Sequence, residues 1–382
     1  RPGDIVMHEI YTADLKALAD RGRFRSLRGH SGIDLASNDY LGLADSAELR
    51  QAAVDALGRG VPVGAGGSRL LRGNHPEHEA LEREAAAYFG ADAALYFGGG
   101  YVANFAIFST LPQRGDLVVH DQLVHASVHE GIRRGRAEAV GVAHNDIDAF
   151  DAAISKWRAA GGTGRPWLAV ESLYSMDGDS PNLAELFVVA DRHDAMVVID
   201  EAHATGVLGP QGRGLAAPFE GRDNVITLHT CGKALGTSGG FILAPKTIRD
   251  FLVNRARPFI FATAPSPLIA AVTRVALEIS RTDPERRERL ARLVRFAGGE
   301  LRRRCKIEPS GSQILPVIVG SDPAAVALAA SLQRRGFDVR AIRPPTVPEG
   351  TARLRIALTL HVDEAIVTGL FAALAEDMRA VA

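Results

Sequence analysis

Four features of the sequence have the residue types and spacing to do chemistry together: the glycine turn at 98–100, Asp200, His203 and Lys233. The turn separates an apolar run from a helical pattern, and free N–H groups at such a helix start favour an anion such as phosphate. Asp200 ends another apolar run, where a carboxylate is costly unless it meets a cation or hydrogen-bond donors. His203 adds a second polar side chain at the same edge.

Lys233 is one of only five lysines against 39 arginines, and it stands in HTCGKALGTSGG (229–240), where most residues are small. A lysine buried in such a segment loses hydration, so its pKa would fall towards the range in which the free amine is nucleophilic. A solvent-exposed loop lysine is the alternative, and it would be preferred if Asp200 and the glycine turn were not there.

Pyridoxal 5'-phosphate needs a phosphate site, an acid that pairs with its pyridinium nitrogen, and a lysine that forms a Schiff base with its aldehyde. The glycine turn, Asp200 and Lys233 supply one of each. The turn lacks the GxGxxG spacing of dinucleotide-binding turns, which weighs against a nicotinamide cofactor. The sequence therefore predicts pyridoxal phosphate as the cofactor, with Lys233 as its attachment point.

Short apolar runs alternate with helical patterns along the middle of the chain. Runs that are apolar on consecutive residues are typical of strands covered on both faces, which predicts an α/β fold with a mostly parallel central sheet and helices on both sides. Ligands bind such sheets beyond the carboxyl ends of the strands, where the residues above are found. The predicted strands are AALYF (93–97), DLVVH (116–120), WLAVE (167–171), MVVID (196–200), VITLHT (225–230) and GFILA (240–244).

The pattern divides the chain into an N-terminal arm (1–45), a large cofactor-binding domain (46–280) and a small α+β domain (281–382). Asp283 followed by Pro284 is typical of a helix N-cap with proline at the first helical position, and this pair marks the second boundary. Beyond it, further strand-like segments alternate with helical ones.

The amino-acid composition argues against a nucleic-acid-binding protein and against a membrane-spanning one. The net charge of −1, with 46% hydrophobic and 23% charged residues, gives no overall field that would recruit nucleic acid or an anionic membrane. No apolar run approaches the length needed to cross a bilayer. Cys231 and Cys305 form neither a disulfide framework nor a zinc motif, which fits a reducing cytoplasm.

Two competing motifs are weaker. GTSGG (236–240) matches the GxSxG motif of serine hydrolases, but it follows KAL and precedes a strand pattern instead of opening a helix. His125 and His129 are four residues apart, with Asp121 before them, which resembles metal-ligand spacing, yet the glutamate of a metalloprotease motif is missing. A packing histidine, or a ring that stacks on a cofactor, is preferred, and no metal is predicted.

Several segments together resemble the α-oxoamine synthases, which are pyridoxal phosphate enzymes of the aspartate-aminotransferase fold (fold type I). These enzymes join an amino acid to an acyl thioester with loss of carbon dioxide. The resemblance runs from about residue 20 to the end of the chain. The segments are SNDYLGL (37–43), ESLYSMDGDSPNLAEL (171–186), DEAHATGVLGPQGRG (200–214), the loop around Lys233, and RPPTVPEGTARLRIALT (343–359).

Within the family, RPPTVPEGTARLR is most similar to members that condense L-alanine with a pimeloyl thioester carried by coenzyme A or an acyl carrier protein. Other members use glycine or serine with a different acyl group, as in the glycine C-acetyltransferase or aminolevulinate synthase types, and GTSGG resembles the latter as much. A pyridoxal-binding protein without synthase activity is the alternative from another class.

The resemblance implies roles for the matching residues around the cofactor. Lys233 would carry it, Asp200 would pair with the pyridine nitrogen, and His203 would hydrogen-bond the phenolic oxygen. His125 would stack on the ring and orient the thioester carbonyl. Thr263 would reach the phosphate of the other subunit, which implies a homodimer with a shared site. Further contacts would come from Gly100, Tyr101, Ser175 and Thr230.

The substrate contacts are also implied by the resemblance. Arg355 resembles the residue that holds the amino acid carboxylate, since a planar guanidinium binds both oxygens. The strand period places Arg353 on the same face as Arg355, and a solvated strand face is predicted for Arg353. The remaining substrate contacts, besides His125, would be Arg21, Asn38, Arg343 and Thr346.

Overall fold

The computed structural model describes residues 8–27 and 29–381. The chain forms two compact units. The larger unit contains Asn38–Ser175 and Asp179–Leu290, and the smaller one contains the described residues before Asn38, the short segment Met176–Gly178 and the residues from Ala291 onwards. The three-part division at residues 45 and 280 stays a prediction.

Twelve strands and thirteen α-helices are present in the described residues, with short 3-10 turns at Pro210–Gly212 and Ala217–Phe219. The strands are β1 Ile33–Asp34, β2 Ala93–Phe97, β3 Leu117–Asp121, β4 Glu138–Val142, β5 Pro166–Glu171, β6 Met196–Asp200, β7 Val225–Thr230, β8 Gly240–Ala244, β9 Ile314–Gly320, β10 Phe337–Asp338, β11 Arg340–Ile342 and β12 Ala352–Ala357. The helices are α1 Glu9–Asp20, α2 Ala47–Gly58, α3 Pro76–Phe89, α4 Gly100–Thr110, α5 Ala126–Arg134, α6 Ile147–Ala159, α7 Leu183–His193, α8 Lys246–Arg255, α9 Arg257–Ile260, α10 Pro267–Thr282, α11 Pro284–Cys305, α12 Asp322–Arg334 and α13 Glu364–Val381.

The larger unit is built on a seven-stranded sheet with the order β2-β8-β7-β6-β5-β3-β4. Strand β8 runs antiparallel to both of its neighbours, and every other pair is parallel. This confirms the predicted α/β fold with a mostly parallel sheet. Strand β4 was not predicted, because its sequence EAVGV lies at the sheet edge with four of five residues exposed, and so lacks a buried apolar run.

Two apolar cores cover the two faces of this sheet, and helices contribute to both. Phe108 of α4 packs in one core, with Val118 and Val198 from the strands. The neighbouring strand residues Val119 and Val197 turn to the other core, which includes residues of α6 and α7. Because side chains alternate between faces along a strand, burial on both faces makes the strands apolar at consecutive positions.

The strand register aligns the ends that carry polar residues. Glu171 at the end of β5 pairs directly with Asp200 at the end of β6, and Asp200 pairs with Leu228 near the end of β7. In a parallel sheet these carboxyl ends share one edge. The side chains after β2, β5, β6 and β7 are therefore brought to the same edge.

The smaller unit contains an antiparallel sheet of order β11-β12-β9 and a parallel pair, β1 with β10. The prediction of a solvated strand face for Arg353 is wrong. Arg353 is 4% exposed, and it donates hydrogen bonds to Asp177 Oδ1 at 2.5 Å and to the Thr351 carbonyl at 3.0 Å. The reason is that β12 is the central strand of its sheet, with all six residues buried.

None of the helices in the described part of the chain is both long and apolar enough for a bilayer crossing.

Candidate active site

A cavity of about 100 Å³ opens at the carboxyl edge of the large sheet, between the end of β2 and the loop after β7. It gathers residues from six separate stretches of the larger unit, and it contains most of the polar groups that the sequence singles out. Its lining residues are Gly100, Tyr101, Asn104, His125, Glu171, Asp200, Ala202, His203, Leu228, Thr230 and Lys233.

Glycines let two backbone segments approach closely at the start of α4. Gly99 forms an isolated bridge with Gly239, and a Cβ atom on Gly240 would lie 3.1 Å from the Gly100 backbone. Gly239 has φ of +108°, and a Cβ there would lie 2.4 Å from the Tyr96 ring. The N-cap of α4 has no side-chain hydrogen bond, so the first backbone N–H groups of this helix stay available for an anion.

The loop that carries Lys233 is short and closed by its own backbone. The Cys231 N–H donates to the Gly239 carbonyl, and the Thr237 N–H donates to the Cys231 carbonyl, both at 2.9 Å. Gly236 has φ of +65°, and a Cβ there would lie 2.5 Å from the backbone nitrogen of Ala44. A side chain at Gly236 would therefore not fit, which explains the glycine at this position. The half-buried lysine itself lines the cavity.

Both oxygens of Asp200 accept hydrogen bonds. The Asn104 side chain donates to Oδ2 at 2.7 Å, and the Ala202 N–H donates to Oδ1 at 2.8 Å. These two donors hold the buried side chain of Asp200, which is 6% exposed, in place on the cavity wall. Asp200 is therefore suited to face a cation in the cavity.

A chain of hydrogen bonds continues from Asp200 to His125. The Asn104 side chain also donates to Ser127 Oγ at 3.1 Å, and Ser127 Oγ lies 2.7 Å from His125 Nδ1. The Ser127 N–H points at the same ring nitrogen at 3.3 Å. Since Nδ1 accepts from Ser127, the neutral His125 ring carries its proton on Nε2.

His125 is the N-cap of α5, and its imidazole stands edge-on to the Tyr101 ring, with ring centroids 6.1 Å apart. Desolvation by the cavity walls lowers the pKa of His125 below its ordinary value, and the charge of Lys233 acts in the same direction. The negative charge of Asp200 opposes both effects. The imidazole is therefore neutral at pH 7 and available to pack against a flat ring.

His203 is held from behind by a buried tyrosine. Tyr40 Oη lies 2.7 Å from His203 Nδ1, and it donates to Asn38 Oδ1 at 3.0 Å. Both His203 and Tyr40 are buried, so the ring orientation is set by this contact. Asn38, predicted as a substrate contact, thus lies in the larger unit behind His203.

Three side chains of this site were missed by the sequence reasoning: Asn104, Tyr40 and Glu171. Asn104 is a buried amide four residues after Gly100 in an otherwise apolar helix, which was a usable signal. Glu171 ends an apolar strand as Asp200 does. Tyr40 lies within SNDYLGL but has no spacing that relates it to His203, so only the tertiary fold brings the two together.

Glu171 is buried and only partly hydrogen-bonded. The Ser175 N–H donates to Oε2 at 3.1 Å, while Oε1 has no hydrogen-bond partner among the described residues. Burial, followed by the negative charge of Asp200, raises the pKa of Glu171 well above its ordinary value, and Lys233 offsets this only in part. Both effects favour the neutral, protonated form of this carboxyl.

The remaining predicted site residues are divided between the two units, and one of them lines the cavity. Thr230 lines the cavity and is buried, whereas Ser175 is near it through Glu171 and Thr263 is exposed on a loop. The smaller unit contains the three predicted substrate arginines and the predicted substrate threonine. Arg21 donates to the Ala17 carbonyl, Arg343 to the Gly22 carbonyl, Thr346 accepts from Arg25, and Arg355 is 6% exposed. Their roles stay predictions.

The competing motifs do not form sites. Ser238, the central residue of GTSGG, is exposed, and the segment leads into strand β8, whereas a nucleophile elbow opens a helix. His129 packs edge-on against His120, with ring centroids 4.9 Å apart. Among the described residues there is no cluster of three or more side chains able to hold a metal ion.

The lining groups fit pyridoxal phosphate. The uncapped start of α4 suits its phosphate, the doubly hydrogen-bonded Asp200 suits its ring nitrogen, and Lys233 suits its aldehyde. Asn104 Oδ1 and Glu171 Oε1 are buried polar atoms that lack a partner in the described part of the chain, as expected in a cavity that binds a polar ligand.

Comparison with known proteins agrees with this chemistry. Residues 30–373 match the model of the family described as aminotransferase class I and II. The chain is 43% identical over 378 residues to 8-amino-7-oxononanoate synthase of Anaeromyxobacter dehalogenans, covering 95% of this chain and 94% of the relative. It is 39% identical to the enzyme of that name from Geobacter sulfurreducens, covering 97% and 98%.

Serine palmitoyltransferase from S. paucimobilis, solved with a bound adduct of pyridoxal phosphate and myriocin, has the same fold. It superposes with a TM-score of 0.87 at 28% identity, over 98% of each chain. The chain therefore belongs to the class I and II aminotransferase family of pyridoxal phosphate enzymes and, within it, to the α-oxoamine synthases.

Proposed function

We propose that this pyridoxal phosphate-dependent acyltransferase is an 8-amino-7-oxononanoate synthase of biotin synthesis. It would condense L-alanine with a pimeloyl thioester of coenzyme A or an acyl carrier protein, releasing the free thiol and carbon dioxide. The observation that carries the proposal is the 43% identity to enzymes of this name along 95% of the chain. The cavity supports it, because the acid, amine and imidazole that the reaction needs lie on its walls.

The protein residues have separate tasks in this reaction. When bound, pyridoxal phosphate supplies an electron-withdrawing ring that stabilises negative charge at the α-carbon of the amino acid. Asp200, held in place by Asn104 and the Ala202 N–H, would pair with the ring nitrogen. The amine of Lys233 takes the proton from the α-carbon of alanine and later returns one. His125, neutral with its proton on Nε2, packs against the ring and donates to the thioester carbonyl.

The substrate side of the proposal rests on the resemblance of the smaller unit. Arg355 would hold the carboxylate of alanine through two parallel hydrogen bonds. Arg21, Arg343 and Thr346 would contact the acyl substrate, with Asn38 near His203. Arg355 is buried on β12, the central strand of its sheet.

We further propose a cytoplasmic homodimer in which each active site uses residues of both subunits. Thr263 is exposed on the loop between α9 and α10, and so is accessible to a second copy of the chain. Both cysteines are free thiols, in agreement with a reducing compartment. Sedimentation of the purified chain would test the dimer, and a monomer with full activity would contradict it.

Thiol release across a matrix of amino acids and acyl thioesters tests the function. L-alanine with pimeloyl thioester should give the highest kcat/KM, and mass spectrometry should identify 8-amino-7-oxononanoate. A preference for glycine or serine would show that the protein is a different kind of α-oxoamine synthase. If no pair releases thiol while the cofactor is bound, the protein is a pyridoxal phosphate-binding protein without synthase activity.

The structural match to serine palmitoyltransferase, with a TM-score of 0.87 over 98% of each chain, favours one second candidate. L-serine with a long-chain acyl thioester therefore belongs in the same matrix. Higher kcat/KM for this pair than for alanine with pimeloyl thioester would replace the first proposal.

A further inference from the structure

We propose that Glu171 is a positioning residue for the bound cofactor, and that it acts as a neutral acid which donates a hydrogen bond into the cavity from its Oε1 side. The inference requires the cofactor of the family but not the substrates proposed above. It assigns a task to the one carboxyl of the cavity wall that has no role in the reaction as described so far.

The position of Glu171 is set by the sheet. It is the last residue of β5 and pairs in register with Asp200, so the two side chains leave neighbouring parallel strands on the same face. Both line the cavity, together with Lys233 and His125. The next residues of the two strands, Ser172 and Glu201, hydrogen-bond to each other at 2.8 Å.

The two neighbouring carboxyls differ in their donors. Asp200 has one N–H donor on each oxygen, from Asn104 and Ala202. Glu171 has a single donor, the Ser175 N–H on Oε2, and its buried Oε1 has no partner in the described residues. An ionised carboxylate with one unsatisfied oxygen at 2% exposure is expensive, whereas a protonated one carries its own donor on that oxygen.

The charges around Glu171 agree with the neutral form. Asp200 on β6 and Asp121 on β3 are negative and raise the pKa of Glu171, in addition to the larger effect of burial. Lys233 after β7 and the Ser175 N–H act in the opposite direction but do not reverse the shift. Of the paired carboxyls, Glu171 is the one whose surroundings favour the neutral acid, and two adjacent carboxyls do not readily carry two negative charges.

A neutral acid at this place has a consequence for the cofactor. It adds a hydrogen bond without adding a second negative charge beside Asp200, so the balance between Asp200 and a protonated ring nitrogen is preserved. A second carboxylate would instead compete for that positive charge. Glu171→Gln keeps the size, neutrality and donor of the acid, whereas Glu171→Leu keeps the size but removes the donor.

Infrared difference spectra of the cofactor-free full-length protein test the protonation directly. Wild type minus Glu171→Gln should show the carbonyl stretch of a protonated carboxylic acid at pH 7, and the band should shift in heavy water. Glu201, the neighbouring buried acid, remains in both proteins and cancels. A difference spectrum with only carboxylate bands would overturn the proposal, whatever the enzyme does with substrates.

Cofactor affinity, measured by titrating apo-protein with pyridoxal phosphate in the absence of substrates, tests the donor. We expect Glu171→Leu to raise the dissociation constant about tenfold, the usual effect of losing one buried hydrogen bond, and Glu171→Gln to raise it less than about threefold. Equal weakening in both variants, or none in Glu171→Leu, would contradict the proposal. Thermal melting of the apo-proteins checks folding, and if Glu171→Leu does not fold, the infrared result on Glu171→Gln decides.

Discussion

Two groups of carboxyls lie at the carboxyl ends of neighbouring strands in the large sheet, and Asp121 in one group differs from Glu171 in the other in how its oxygens are paired. At the end of β3, Asp121 accepts from the backbone N–H groups of Leu123 and Asn145 and from His144. At the ends of β5 and β6, Glu171 and Asp200 line the cavity. Glu171 Oε1 has no hydrogen-bond partner among the described residues.

The Asp121 group is an ion-pair cluster. His144 Nδ1 lies 3.0 Å from Asp121 Oδ2, and its Nε2 lies 3.0 Å from Asp179 Oδ2. Burial alone would lower the pKa of His144, but the hydrogen bonds to Asp121 and Asp179 outweigh it and raise the pKa to about 10. The imidazolium is therefore permanently charged at pH 7 and tied to both carboxylates.

The difference separates stability from function at one sheet edge. The charge of Asp121 is neutralised by His144, and its oxygens accept hydrogen bonds from within the protein. Asp121 therefore stabilises the fold and does not bind a ligand. A buried carboxyl that lines a cavity lowers the stability of the protein until a ligand binds there. We therefore expect Asp200 and Glu171 to contribute to ligand binding. Substitutions in the cavity should thus reduce activity, and substitutions in the Asp121 group should reduce the free energy of unfolding.

Lys233→Ala should give the largest effect. The substitution removes the amine that holds the cofactor and moves the α-proton, and turnover should fall by at least about 10⁴-fold with little change in melting temperature. Lys246→Ala is the matched control, because Lys246 is exposed and its side chain forms an ion pair with Asp250 on the same helix. Steady-state thiol release measures both, and substantial activity in Lys233→Ala would end the proposed mechanism.

Arg355→Ala tests, within the smaller unit, the same difference between a residue that binds the substrate and one that stabilises the fold. Loss of two charge-assisted hydrogen bonds to the substrate carboxylate should raise the KM for the amino acid about 10- to 100-fold. Arg353→Ala is the control on the same strand face, since Arg353 is engaged with Asp177 and Thr351. It should lower the melting temperature and leave the KM for the amino acid near the wild-type value. A KM that responds only to Arg353→Ala would move the carboxylate site.

Asn104→Leu removes the side chain that joins Asp200 to Ser127 and His125. Among the described residues, Asp200 then keeps the donor of the Ala202 N–H and loses a buried hydrogen bond worth about 1–3 kcal/mol. We expect the dissociation constant of pyridoxal phosphate to rise about tenfold in fluorescence titrations. An unchanged constant would show that Asn104 does not support Asp200.

His144→Phe should have the smallest effect on turnover and a clear effect on stability. The ring is replaced by one of similar shape without donors, which leaves Asp121 as a buried charge without its cation. The free energy of unfolding should fall by about 3 kcal/mol in urea titrations. A variant as stable as wild type but inactive would reverse the division between the two groups of carboxyls.

The stabilisation by His144 should depend on pH. Its pKa is raised in the folded protein from the ordinary 6.5 to about 10, so the contribution is fully present below pH 6.5 and is lost as the pH rises through 10. The difference in unfolding free energy between wild type and His144→Phe should therefore narrow steadily over this range. A difference that grows with pH would contradict the assignment of the imidazolium.

The sequence predicted the frame of the site well, because burial on both faces of a parallel sheet leaves a simple apolar pattern. The strands ending at Phe97, Asp200, Thr230 and Ala244 have the predicted bounds, and Asp200, His203 and Lys233 all line the cavity. Strand β4 was missed because an exposed edge strand has no such pattern.

The residues that hold Asp200 and His203 in place could not be predicted from the sequence in the same way. The contacts of Tyr40 with His203 and of Asn104 with Asp200 join residues 163 and 96 positions apart. No local spacing encodes such pairs, since only the packed sheet and helices bring them together. Arg353 was mistaken for a solvated residue because strand period gives the face of a side chain but not what covers that face.

The proposed mechanism depends most directly on the covalent bond between Lys233 and the cofactor. Borohydride reduction of the purified holoenzyme, followed by peptide mass spectrometry, should place one pyridoxyl phosphate group per chain on the peptide that contains Lys233. Modification of Lys16, Lys156, Lys246 or Lys306 in its place, or no stable modification at all, would contradict it.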